Sequence, residues 1–171
     1  MARSDPPSAA GRGVSPGPGP ALLFRSSGQR GYSSAVGTDP RRVCARKLER
    51  EIQAKFTPVA CIVQTPEGAV HARPGDAILT GTGGEHWRVS RERFAEKYRP
   101  VAPTLAGEPG RYCSLPNRIL ALPMTGPFEV LLADGESRLN GHAGDWLVDY
   151  GDGSLGIVSR AIFATTYEII T

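Results

Sequence analysis

One block of sequence occurs twice in the chain, and this repetition constrains the fold more than any other feature. Residues 75–101 align with residues 144–170 without a gap, and nine of the 27 aligned pairs are identical. Such self-similarity is typical of chains built from copies of one supersecondary unit. The sequence therefore predicts two tandem modules in a chain of 171 residues. The predicted segments are a disordered tail (1–40), a basic connector (41–49), a first module (50–101), a linker (102–116) and a second module (117–171).

Each module has the pattern of short strands followed by a helix. Residues 59–63 alternate in the manner of a strand, and residues 81–84 read Gly-Thr-Gly-Gly, as in a hairpin loop. Ser90 stands where a helix N-cap belongs, before Phe94 and Tyr98 at helical spacing. The equivalent residues of the second module are Ser159, Phe163 and Tyr167. We therefore expect an α+β fold in which two small β-rich modules, each closed by a short C-terminal helix, pack with pseudo-twofold symmetry.

The first 40 residues have the composition of a disordered tail. Six Pro, seven Gly and seven Ser make up half of them, and such a segment buries too little apolar surface to offset its loss of entropy. Residues 1–50 carry a net charge of +6 and the remainder carries −3, so a basic folded surface is not indicated. We expect a cytoplasmic protein without a membrane-spanning segment. The alternative is a mitochondrial matrix protein with an Arg- and Ser-rich transit peptide.

Both modules resemble the small phage-associated and bacterial proteins named for a Pro-Gly-Asp-Tyr-Gly motif. The first module contains residues 66–68 (Pro-Glu-Gly), residues 74–76 (Pro-Gly-Asp) and residues 84–85 (Gly-Glu). The second departs from the pattern, because Ala143 replaces the Pro and Ser154 replaces the Glu. The resemblance implies two tandem copies of one fold type, and it assigns no activity.

The polar and aromatic residues around these motifs are the candidate site residues. Asp76 and Asp145 each follow a Gly, where a carboxylate can fix a turn by accepting hydrogen bonds from backbone amides or can contact a ligand. The full set of binding candidates is Asp76, Asp145, Glu85, His86, Trp87 and Trp146. The three His residues lack metal-ligand spacing, and we expect neither a metal nor another cofactor.

Three functions are compatible with these residues. The first is a non-catalytic module that binds a partner protein or a small ligand in the groove between the two halves. The second is a small hydrolase or transferase that uses Asp76, Asp145, Glu85 and His86. The third is a weak nucleic-acid accessory protein that uses the basic tail, although the charge distribution does not favour nucleic acid. The sequence is also compatible with a homo-oligomer, because association of identical chains would cover exposed sheet edges.

Overall fold

The structure of the protein, a computed structural model, describes residues 21–170. Within that range the chain forms fifteen strands and three short helices. In chain order they are β1 (Leu22–Arg25), α1 (Ala35–Thr38), β2 (Val43–Lys47), β3 (Glu51–Phe56), β4 (Cys61–Thr65), β5 (Gly68–Ala72), β6 (Ala77–Thr80), β7 (His86–Val89), α2 (Arg91–Lys97), β8 (Tyr98–Pro100), β9 (Gly110–Ser114), β10 (Arg118–Pro123), β11 (Phe128–Leu131), β12 (Arg138–Gly141), β13 (Trp146–Asp149), β14 (Leu155–Val158), α3 (Arg160–Thr166) and β15 (Tyr167–Ile170).

Two five-stranded antiparallel sheets with the same internal order dominate the fold. Sheet 1 runs β7-β6-β3-β9-β8, and sheet 2 runs β14-β13-β10-β2-β15. We call the chain from β2 to β8 the first half and the chain from β9 to β15 the second half. Each sheet takes its fourth strand from the other half, because β9 completes sheet 1 and β2 completes sheet 2. The two halves are therefore joined by a reciprocal exchange of strands.

The exchanged strands are held by register and by burial. Ala45 of β2 lies between Ile119 and Ile169, and it is fully buried. Tyr112 of β9 pairs with Ile52 on one side and is 1% exposed. The sequence predicts connectors at both places, whereas the structure has strands deep inside the sheets. The apolar core of each sheet therefore includes a strand that the other half contributes.

The N-terminal segment is part of the second half's packing. β1 pairs in parallel with β11, which pairs in turn with β12. The Ser26 hydroxyl accepts a hydrogen bond from the Leu155 amide at 3.1 Å. Val36 of α1 is fully buried in an apolar cluster that includes Phe128 and Leu147. The predicted disordered tail therefore does not extend over residues 21–40, and its first 20 residues lie outside the described part of the chain.

The predicted α+β class is wrong, because the described chain is mostly β-sheet. α2 and α3 have seven residues each and α1 has four. The Ser90 hydroxyl caps α2 as expected, by accepting from the Arg93 amide. The helix nevertheless ends at Lys97, because Tyr98 has extended backbone (φ −134°, ψ 145°) and pairs with β9. Tyr98 still stacks on Phe94 with 4.9 Å between ring centroids, so the aromatic spacing indicated a real contact but not a helical Tyr98.

Membrane-spanning helices are not found among residues 21–170: none of the helices there has the length and apolar character to cross a bilayer.

The burial of Val36 gives a test of whether the N-terminal segment contributes to the fold. We expect Val36→Ala to lower the free energy of unfolding by about 2 kcal/mol, because it removes two methyl groups from a closed core. Val59→Ala is the matched control, since Val59 is 62% exposed and its loss should change stability by less than about 0.5 kcal/mol. Urea unfolding of both variants measures the difference. Equal stabilities would show that residues 21–40 do not pack as described.

Candidate functional site

Asp76 and Asp145 both fix the turn that precedes a strand. Asp76 Oδ2 accepts a hydrogen bond from the Arg73 amide at 2.8 Å, and Asp145 Oδ2 accepts one from the His142 amide at 2.9 Å. The preceding glycines have φ values of 89° and 94°, a left-handed conformation that glycine adopts without strain. The hydrogen-bonded amide lies three residues before each Asp. Gly-Asp therefore works as a turn unit in both halves.

The surroundings of the two carboxylates differ. Asp76 is 5% exposed and pairs with Arg88, whose Nε lies 2.9 Å from Oδ2. Asp145 is partly exposed and lies near Glu67, whose pKa is raised by burial and further by the charge of Asp145. The charge of the buried Asp76 is thus compensated by Arg88. The negative charge of Asp145 instead disfavours ionisation of the nearby Glu67 carboxyl.

The other candidates from the sequence do not converge on these carboxylates. Glu85 and His86 lie at the far end of the β6–β7 hairpin, roughly 13 Å along the strand from Asp76 at ordinary strand rise. The exposed His86 contacts the Thr80 hydroxyl at 3.1 Å through Nδ1. Asp145 precedes a strand of the other sheet. Across residues 21–170, no group of three His, Cys, Asp or Glu side chains is arranged to hold a metal ion.

The two tryptophans belong to the apolar packing. Trp146 stacks on Phe163 with 4.1 Å between ring centroids, and Trp87 packs against the cluster that contains Phe94 and Tyr112. Each indole thus packs against the apolar cluster of its own sheet. They are therefore positioned by the core, and their predicted role in ligand binding stays a prediction.

A different group of polar residues lies where the two sheets meet, and we call Lys47, Tyr98, Tyr150 and Tyr167 the junction cluster. Lys47 ends the exchanged strand β2, opposite Tyr167. Its Nζ donates a hydrogen bond to the Tyr98 hydroxyl at 2.9 Å and lies 4.9 Å from the centroid of the Tyr98 ring. The cluster thus combines residues of both halves, and the strand exchange places the lysine there.

Tyr150 has space in this cluster because residue 156 is a glycine. A Cβ at Gly156 would lie 2.8 Å from the Tyr150 hydroxyl, closer than side chains allow. Burial raises the pKa of Tyr150 well above its ordinary value, and the neighbouring Tyr167 and Tyr98 raise it further. Burial also raises the pKa of Tyr167, despite the opposing charge of Lys47. These two phenols therefore keep their protons at neutral pH.

Lys47 carries a positive charge inside the cluster. Burial opposes its charged form, but Tyr98 and Tyr167 outweigh this effect and hold the pKa of the ammonium above its ordinary value. Lys47 makes no ion pair with any Asp or Glu of the part of the chain that the structure describes. Among the described residues, the ammonium therefore donates a hydrogen bond only to the hydroxyl of Tyr98.

A neighbouring cation, Lys97, is arranged differently. Its Nζ lies 2.9 Å from Asp152 Oδ2, which is also 3.0 Å from Arg93 Nε. Burial disfavours the charged form of Asp152, but hydrogen bonds from Lys97 and Ser154 outweigh it and lower the pKa of the carboxyl to about 2. Lys97 Nζ also lies 5.1 Å above the Tyr150 ring. Asp152 therefore links α2 of the first half to the loop before β14 and supports the junction.

A groove of about 200 Å³ opens beside the junction cluster. It is lined by Arg46, Lys47, Leu48, Glu49 and Pro116. The first four belong to β2 and the turn that follows it, while Pro116 belongs to the turn between β9 and β10. The groove therefore lies where the two exchanged segments cross, and charged and apolar residues both contribute to its walls.

The junction cluster is not among the site residues predicted from the sequence. Lys47 falls in the predicted basic connector, and Tyr98 and Tyr167 fall in the predicted helices, because their proximity depends on the strand exchange. One signal was present: Tyr98 and Tyr167 occupy aligned positions of the repeated block, and the structure places both next to Lys47.

A family model described as PGDYG protein matches residues 68–168, which are 101 of the 171 residues. The matched range begins at β5 and ends within β15, so it includes β9 and its partner β8 but neither β2 nor β3. Comparison with curated proteins and with solved structures gave no match.

The two turn aspartates allow a matched comparison. We expect Asp76→Asn to lower the free energy of unfolding by about 2–3 kcal/mol, because it leaves Arg88 without its partner. Asp145→Asn should cost at most about 1 kcal/mol, since it weakens one hydrogen bond and relieves Glu67 of a nearby charge. Urea unfolding at neutral pH measures both. Equal losses would contradict the role assigned to Arg88.

Asp152 gives a pH-dependent prediction. Its pKa falls from 3.8 to about 2 on folding, so it stabilises the fold above pH 4 by about 2 kcal/mol, and this contribution disappears as the pH falls towards 2. We expect Asp152→Asn to be less stable than the parent by that amount at pH 7 and equally stable near pH 2. Glu96→Gln, which removes an exposed ion pair with Arg30, is the control and should change stability by less than about 0.5 kcal/mol. A difference for Asp152→Asn that persists to pH 2 would rule out the charge as its cause.

Proposed function

The chain belongs to the PGDYG protein family, and from this premise we propose that it is a non-catalytic binding module, built from an internal duplication, that holds a small molecule in the groove between its two halves. We propose the cytoplasm as its location.

The duplication is supported by the matched hydrogen bonding of the two halves. The Lys47 amide donates to the Asn117 carbonyl at 2.8 Å, and the Ser114 amide donates to the Arg50 carbonyl at 2.9 Å. Each bond joins the end of an exchanged strand to the turn before β10 or β3. The amides of Leu48 and Leu115 repeat the pattern, donating to the last residue of α3 and α2 at 2.9 and 2.8 Å. Equivalent bonds at an offset of 67 to 69 residues are expected of two copies of one unit.

The binding role rests on one observation, the groove at the crossing of the exchanged segments. Its walls come from both halves, so a bound molecule would contact the two copies at once. Clefts between structural units are frequent ligand sites. The catalytic alternative receives no comparable support, because Asp76, Asp145 and His86 lie at separate places in the two sheets.

The proposal is tested by filling the groove. We expect native mass spectrometry of the gently purified full chain to show a retained small molecule, and Leu48→Trp to lose it because the larger side chain occupies the groove. Leu105→Trp is the matched control, since Leu105 is 64% exposed and lies outside the groove. Near-ultraviolet circular dichroism verifies that both variants are folded.

Two outcomes would count against the binding role. One is a wild-type chain that retains nothing and whose melting temperature does not change with any compound of a metabolite panel. The other is a retained molecule that Leu48→Trp keeps as well as Leu105→Trp does.

A further inference from the structure

The charge of Lys47 is not required by the fold. Its equivalent in the other half is Ser114, because the two residues make the equivalent backbone bonds to Asn117 and Arg50. Ser114 is 1% exposed, donates through its hydroxyl to the Leu48 carbonyl and accepts from the Arg50 amide. A small neutral side chain therefore satisfies this position of the strand exchange, and Lys47 has some other reason to be there.

Lys47 is the one charged residue lining the groove that has no ion-pair partner among the described residues. Arg46 is paired with Glu168 at 2.5 Å, and Glu49 is paired with Arg99 at 3.6 Å. Among the described residues, only the Tyr98 hydroxyl accepts a hydrogen bond from Lys47 Nζ. An ammonium has three donors, and the hydrogen bond to Tyr98 uses one of them.

A comparison within the chain shows what a structural lysine looks like at this junction. Lys97 is similarly sheltered, with 24% of its side chain exposed, and it is paired with Asp152. Removing a cation from water without an anionic partner is unfavourable. Lys47 is also shielded from water but has no carboxylate partner among the described residues, which is the arrangement expected when a ligand supplies the anion.

We propose that the groove binds a small anion whose carboxylate or phosphate oxygen accepts hydrogen bonds from Lys47 Nζ. This inference rests on the proposed function and names the class of its ligand. The Tyr98 hydroxyl accepts from Lys47, so its own proton is free to be donated to the same anion. Leu48 and Pro116 then contact the apolar part of the molecule. The ligand class is thus a small organic acid or a phosphorylated metabolite.

Titration of the full chain with inorganic phosphate and, separately, with acetate tests the proposal. We expect at least one anion to shift the amide resonances of Lys47 and Leu48 in a saturable way, while sodium chloride at the same ionic strength does not. Lys47→Met should weaken this binding about tenfold or more, since it removes a charge-assisted hydrogen bond. Lys55→Met is the matched control, because Lys55 is an exposed lysine of β3, and it should bind like the parent. A response to phosphate alone indicates a phosphorylated ligand, and a response to acetate alone indicates a carboxylate.

The stability of the same variants distinguishes binding from a structural role. In the absence of anions, Lys47→Met should stay folded and melt within a few degrees of the parent, because the loss of the hydrogen bond to the Tyr98 hydroxyl is offset by the burial of a neutral side chain. Anion binding by Lys47→Met that equals the parent's, or no saturable response of the parent, would overturn the inference. If the parent nevertheless retains an uncharged molecule that Leu48→Trp loses, the binding module stands and only the anion assignment fails.

Discussion

The reciprocal exchange of β2 and β9 is the constraint on which the rest of the structure depends. A half without its partner lacks the fourth strand of its sheet, so β8 or β15 would have no strand to pair with. About 50 residues also bury too little surface to be stable on their own. The exchange turns two marginal units into one cooperative unit, and it places the end of β2, with Lys47, against tyrosines of both halves. The groove therefore exists only when both sheets are complete.

Local features of the fold could be predicted from the sequence, while the long-range pairing could not. The Ser90 and Ser159 caps and the β6–β7 hairpin depend on neighbouring residues, and the structure has them. β2 and β9 lie outside the ungapped alignment, and their sequences, VCARK and GRYCS, carry basic residues and a glycine that suggest a connector. Both partners of β2, and the partner β3 of β9, are more than 50 residues away. The candidate site was missed for the same reason, since Lys47 meets Tyr98 only through that pairing.

Equivalent faces of the two sheets have opposite chemistry. On sheet 2 the row Leu122, Leu147 and Ile157 is buried beneath the N-terminal segment. The corresponding row of sheet 1 is Lys55, Ile78 and Arg88, and Lys55 is exposed. The apolar row requires a cover, which Val36 of α1 provides together with residues of β5, β11 and β12. The charged ends of the other row need no such apolar cover, since Arg88 pairs with Asp76 and Lys55 is exposed.

The junction differs from these faces because its backbone hydrogen bonds match between the two halves while its side chains differ. Backbone bonds at Lys47 and Ser114 match, but only one of the two residues carries a charge. Tyr150 packs over Gly156, whereas at the equivalent pair Trp87 lies so close that a Cβ at Gly81 would be 2.7 Å from its ring. The aromatic residue and the glycine are therefore interchanged between the two halves. The combined side-chain volume of each pair stays similar, and only the second half has a phenol hydroxyl at this place. A ligand at a symmetric junction would meet two equal half-sites and bind in two orientations. At the anion site proposed above, the interchange of large and small residues, together with the single ammonium, would favour one orientation of the ligand, so the asymmetry that the fold does not need would serve a specific binding site.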